Sequence, residues 1–292
     1  MLLAVLLFPC DVNSASSQQL LDDLRHLSSA VFSGRKTNTS GAELSALYLK
    51  DRFELLGYSS ELQTFNYQSS LFSRSTGNNV IATLTSKNST SSTVVITAHY
   101  DHLGKKGTQF YPGANDNASG VSALLYLAKR LKINTPTFNI IFVATDAEEN
   151  GLHGSKYFVS QLPTGTVLFN INLDMLAVSA RSKTLYAFTL PKLKKTIESQ
   201  LATISSNDLR VRVSSSSKHM NRLLRVDKID WRKASDHYSF AKAGIPYVYF
   251  GMGDDPHHHK KTDTFANIDQ DLYVKSVIYI ERFIRQFDFS QL

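Results

Sequence analysis

The sequence predicts an α/β fold: a three-layer α/β/α sandwich on a mixed, mostly parallel central sheet. Three observations lead there. Residues 93–98 (TVVITA) and 138–144 (FNIIFVA) are almost continuously apolar and rich in β-branched side chains, as strands covered on both faces are. Between them, residues 118–131 carry apolar side chains every three or four positions, the spacing of an amphipathic helix. Strand, helix, strand makes a parallel βαβ unit, and the alternation continues to the end of the chain.

In order along the chain, residues 18–27 and 41–56 read as helices, the second stopping at Gly57, a residue suited to the left-handed turn that ends helices. Residues 61–67 and 79–84 alternate as half-buried strands do, and the polar stretch 86–92 is a turn or loop before the strand at 93–98. After the βαβ unit come a strand at 167–173, a helix at 193–204, a strand at 246–250 (PYVYF) and a long helix from about 271 to 287. The serine run 214–217 reads as a surface loop. With no internal repeat and no interdomain linker, residues 18–292 are expected to form one domain.

A chain of 292 residues that is 42% hydrophobic and 11% aromatic can bury a sizeable core. Its 32 Lys and Arg against 25 Asp and Glu leave a net charge of +7. The basic residues are scattered, without an arginine-rich arm or an aromatic RNA-binding signature, so nucleic acid is not an expected partner. A single cysteine, Cys10, excludes an internal disulfide framework. It ends the apolar run MLLAVLLFPC, which is too short to span a bilayer but suits the core of a signal peptide, although the positive charge that usually precedes one is missing. Residues 1–17 are therefore read as an export segment, with Cys10 a weak match to a lipidation site, and the protein is expected to be periplasmic or secreted. No later stretch is apolar enough for a stable membrane span.

Ligands of open α/β sheets bind beyond the carboxyl ends of the strands. The four expected central strands run into Ala98-His99-Tyr100-Asp101, Asp146-Ala147-Glu148-Glu149, Asn172-Leu173-Asp174-Met175 and a loop containing His257-His258-His259. A rim of imidazole and carboxylate is a zinc donor set, and two zinc ions about 3.5–4 Å apart need a carboxylate between them. Asp116, in the loop Gly113-Ala114-Asn115-Asp116-Asn117-Ala118-Ser119-Gly120 that opens the helix after the first strand, is placed to bridge. The expected arrangement gives His99, Asp116 and Asp174 to one zinc and Asp116, Glu149 and His259 to the other. Asp101, two residues beyond His99, is expected to orient that ring, and Glu148 to act as general base, taking a proton from the attacking water and returning it to the leaving amine.

These residues resemble the zinc aminopeptidases of metallopeptidase clan MH, a family that also contains the glutaminyl cyclases. The resemblance runs from about residue 18 to 287. It rests on Ser33-Gly34-Arg35, His99-x-Asp101, Gly113-Ala114-x-Asp116-Asn117-Ala118-Ser119-Gly120, Glu148-Glu149-x-Gly151-x-x-Gly154-Ser155, Asn172-Leu173-Asp174-Met175, Ser235-Asp236-His237 and His259-x-x-x-Asp263-Thr264. It implies the roles just given, peptide substrates with a free N-terminus and removal of N-terminal residues; the sequence does not give the oligomeric state, and a monomer is the expectation. Two departures stand out. The family places Tyr before the last ligand and Thr or Ser after it, whereas here His258 precedes and Lys260 follows; His259 is preferred because Asp263-Thr264 stands at the family's distance from it. The segment between residues 84 and 99 has no room for the lid domain of some relatives.

Each signal also has a plainer reading. A histidine after a strand is more often a core residue than a ligand, an acidic pair is commonly a solvated turn, and Asp174 could cap a helix. It is their joint order that favours a metal site. His257 and His258 are expected to be exposed loop residues, Asp236 either a helix cap or a support for the site, and Tyr111, Trp231, Tyr247 and Phe250 either core or pocket lining. Two other functions remain open: a glutaminyl cyclase with one zinc, and a non-catalytic binding relative that has lost its metals.

Overall fold

The computed structural model describes residues 12–70, 72–87, 92–178, 183–206 and 208–289. Cys10 and most of the expected export segment lie outside the described residues, while residues 12–17 belong to the first helix. The helices are α1 (Val12–Leu27), α2 (Ser40–Leu55), α3 (Ser119–Ile133), α4 (His153–Ser160), α5 (Lys194–Ala202), α6 (Ser217–Leu224), α7 (His237–Lys242) and α8 (Gln270–Gln286). The strands are β1 (Ser60–Ser70), β2 (Ser73–Leu84), β3 (Thr93–His99), β4 (Lys105–Lys106), β5 (Gln109–Phe110), β6 (Asn139–Thr145), β7 (Val167–Leu173), β8 (Thr184–Thr189), β9 (Arg210–Ser214) and β10 (Tyr247–Gly251).

Eight of these strands form one sheet in the order β1-β2-β6-β3-β7-β10-β8-β9, and β4 and β5 pair separately. The four central strands, β6, β3, β7 and β10, are mutually parallel, with Ala98 opposite Ala144, Ile96 opposite Ile171 and Phe250 opposite Leu173. Their carboxyl ends therefore share one edge. Antiparallel pairing appears between β1 and β2, between β2 and β6, and where β8 joins β10. This is the mixed α/β/α sheet the sequence predicts.

Strand alternation sorts the core into layers. Val94, Ile96 and Ala98 of β3 pack with Ile140, Phe142, Ile171 and Phe250 against α1, α2, α3 and α8. Val95 and Val143 face the other way, toward Phe158 of α4 and Phe240 of α7. Each fully buried side chain of this kind contributes about 1.5–3 kcal/mol. The long helix α8 is set by Asp269, whose side chain accepts from the Leu272 N–H at 3.0 Å, and it buries Tyr273, Val277, Ile280, Phe283 and Ile284 on one stripe.

The serine run is not simply a surface loop. Ser214 is the buried end of β9, and Ser216 caps α6 by accepting from the His219 N–H. Among the described residues, no helix is long and apolar enough to cross a membrane.

Candidate metal centre

β3 ends at His99, which is 1% exposed. Its Nδ1 lies 3.2 Å from the main-chain oxygen of Asp101 and 3.7 Å from the Asp101 carboxylate, so the nearer partner is a carbonyl and Nδ1 must donate. That leaves the Nε2 lone pair facing Asp116 Oδ1 at 3.5 Å and Asp174 Oδ1 at 3.4 Å. The Asp101 carboxylate itself has a different job: it accepts from the main-chain N–H groups of Glu148, at 3.0 Å, and Glu149, at 3.2 Å. Asp101 thus orients the His99 ring through its carbonyl and the acidic turn through its side chain. Asp146 ties the same turn to the sheet, accepting from Asn78 N–H, Thr37 Oγ1 and Tyr100 Oη at 2.7–3.0 Å. Ala147 between them has φ 57°, and Met175 and His259 have φ 56°. Three left-handed non-glycine residues at one rim cost about 1–3 kcal/mol each, carried by the surrounding bonds.

The loop bearing Asp116 is knitted down on every side. Asp263 accepts from the N–H groups of Asn115 and Asp116 at 2.8 and 3.0 Å. Asn117 donates to Leu173 O and accepts from the Gly120 and Met175 N–H groups, and Asn115 joins Asp255 and the Ala177 N–H. A side chain at position 120 would place its Cβ 2.4 Å from Leu173 O, so the loop needs glycine where α3 passes over the end of β7. The peptide bond joining Asp116 to Asn117 is cis. Arg35, fully buried, donates to the carbonyls of Leu27, Tyr100, Pro112 and Gly113 and so clamps both approach segments; burial lowers its pKa to about 10, against the pull of Asp263, Asp116 and other acids.

On the other side of Asp116, Oδ2 stands 3.1 Å from His259 Nε2 and 3.3 Å from His258 Nε2, while Glu149 Oε2 stands 3.2 Å from His259 Nε2. All five expected ligands thus converge, with one oxygen of Asp116 toward His99 and the other toward His259. These separations match the roughly 3.3 Å edge of a tetrahedron with zinc bonds of about 2.0–2.1 Å. Asp116 Oδ2 and Asp174 Oδ1 are also buried without a hydrogen-bond partner among the described residues, a state that costs free energy unless a cation or proton fills the gap. The donor set therefore fits divalent metal, and clusters of three donors occur at His99, Asp116 and Asp174, at Asp116, His258 and His259, and at His102, Asp116 and Glu149, so that His258 and His102 stand beside the expected ligands of the second position.

Electrostatics follow the same logic. Burial and the carboxylates of Asp236, Asp174 and Asp101 hold Glu148 well above the usual carboxyl range, with His99 pulling the other way. Glu149 is brought down to about 2 by His102 and His259, against burial and Asp116. The facing carboxylates of Asp116 and Glu149 raise His259 to about 10, against burial.

A cavity of about 310 Å³ opens over this floor. Acids and imidazoles line one side, and Met175, Val226, Ile229, Trp231 and Tyr249 the other. Trp231 is thus pocket lining, whereas Tyr247 and Phe250 are buried and absent from the wall. A larger depression of about 640 Å³ lies at the amino ends of the strands, beside Asn134, Phe138, Leu168 and Phe289, away from these groups. Asp236 makes no capping bond; its Oδ2 accepts from Thr145 Oγ1 at 2.5 Å, and its charge helps to raise Glu148. His102, which sequence reasoning passed over, bonds Glu149 Oε1 through Nδ1 at 2.9 Å. Its signal was its place three residues past His99, just after the strand ends.

Aminopeptidase YwaD of Bacillus subtilis is 31% identical over 211 residues, 68% of this chain and 42% of that protein. The chain spans half or less of the length of the curated relatives it matches first. The fold is that of BSAP, a zinc aminopeptidase from Bacillus subtilis, with a TM-score of 0.73 at 19% identity over 90% of this chain and 95% of that one. It is also that of a Bacteroides thetaiotaomicron glutaminyl cyclase, with a TM-score of 0.70 at 18% identity over 94% and 97% of the two chains. The model of peptidase family M28 matches residues 79–283, which include every residue of the acid and imidazole rim, and the chain belongs to that family.

Proposed function

We propose that the protein is a metal-dependent aminopeptidase that removes N-terminal residues from peptides, with two zinc ions per chain. The observation that carries this is the split of Asp116, whose two oxygens face two different imidazoles, His99 at 3.5 Å and His259 at 3.1 Å. His99, Asp116 and Asp174 would hold one zinc, and Asp116, Glu149 and His259 the other. When bound, zinc lowers the pKa of water and polarises a carbonyl. The chain's own groups do the rest. Glu148, which lines the same cavity as His99, Asp116 and Asp174, takes the proton of the attacking water and delivers it to the leaving amine. Met175, Val226, Ile229 and Trp231 receive an apolar N-terminal side chain and exclude water from the reacting bond. Residues 18–292 act as one catalytic domain in an exported, periplasmic or secreted monomer.

The test is zinc content measured beside turnover of a panel of aminoacyl amides and of N-terminal glutaminyl peptides. Two zinc ions and aminoacyl hydrolysis are expected. One zinc with pyroglutamate formation would make the protein a glutaminyl cyclase, and a folded, metal-free, inactive protein would make it a binding relative.

A further inference from the structure

We propose that His102 is a positioning residue that commits Glu149 to the second zinc through a single oxygen, an inference that rests on the two-zinc reading above. The two oxygens of Glu149 face different partners. Oε1 accepts from His102 Nδ1 at 2.9 Å, and Oε2 stands 3.2 Å from His259 Nε2. The first distance is that of a charge-assisted hydrogen bond; the second is that of two donors sharing one ion. His102 Nδ1 is 3.6 Å from Asp116 Oδ2, beyond hydrogen-bonding range, so its proton belongs to Glu149.

The ring has nowhere else to go. His102 is 1% exposed, and a Cβ at Gly113 would stand 2.6 Å from its Cδ2, so the imidazole occupies the space that glycine leaves in the Asp116 loop. Its Nε2 is buried without a partner among the described residues. With Nδ1–H given to Glu149 and the ring walled in, His102 blocks the chelating pose in which both Glu149 oxygens would grip one ion. A zinc held there would then keep a position free for substrate.

The experiment compares wild type, His102→Ala and His102→Asn, the last able to donate an amide N–H to Glu149 from nearly the same place. Metal-free protein is titrated with zinc by calorimetry, and the cobalt-substituted forms are compared by visible absorption. Wild type is expected to bind two ions. His102→Ala keeps the first and binds the second about 10–100-fold more weakly, with an altered cobalt spectrum. His102→Asn restores both affinity and spectrum. Two wild-type-like ions and an unchanged spectrum in His102→Ala would overturn the proposal. So would an equal loss in both variants, which would make His102 a ligand. A wild type that binds no zinc would bring down the two-zinc reading itself, and this inference with it.

Discussion

The floor and the roof of the cavity are built differently. On the floor, His99, Asp101, Asp116 and Asp174 are all at most 6% exposed, fixed by strand ends and by the loop over β7. On the roof, the side chains of His258 and His259 are 44% exposed, on a turn held by Asp255 and Asp263. A strand end places its side chain through the hydrogen-bond ladder, whereas a loop places it only through bonds that the loop itself must make. The floor is therefore preorganised, and the roof is where identity and affinity can shift.

The sharpest way to break this comparison is on the floor. Glu148→Gln is expected to keep both zinc ions and lose about 10²–10⁴ in turnover, and retained turnover would refute its role as base. On the roof, His259→Ala should weaken the second zinc by more than about 100-fold, beyond the effect of an outer residue, while His258→Ala shifts it by less than about tenfold. The reverse outcome in zinc titrations would move the ligand to His258.

The pocket wall gives a pH test. His237 is fully buried, packs at a tilt against the Tyr247 ring and lies 2.9 Å from the Trp231 carbonyl through Nε2. Burial lowers its pKa from 6.5 to about 4, against the raising effect of that bond. Between those values only the unfolded chain takes up the proton, so stability falls as pH drops, by up to about 3 kcal/mol near pH 4. Denaturant unfolding of His237→Gln should lack that part of the slope; identical slopes would contradict it. A modest effect is expected at Trp231→Ala, about tenfold in kcat/KM for a large apolar N-terminal residue and little for alanine. An equal loss for both would remove Trp231 from the pocket.

The central strands were legible because burial on both faces leaves unbroken apolar runs, and the floor because those runs end in acids and histidines. The edge was less so. β8 was missed, and β9, RVRVS, is five residues long and merges into serines that also cap α6. Helix α6 was obscured for the same reason, since a cap and a loop use the same residues, whereas the long helix α8 was legible from its apolar spacing. His102 escaped because nothing in its spacing distinguishes a ring that bonds a ligand from one that fills a core. The triple histidine left its register to resemblance, and the structure brings both His258 and His259 within 3.3 Å of Asp116.

The central claim is that Asp116 stands between two ions. Anomalous diffraction from zinc-loaded crystals measures this directly. Two peaks about 3.5–4 Å apart, one beside His99 and Asp174 and one beside Glu149 and His259, are the expected result. A single peak, or a second one remote from Glu149, would contradict it.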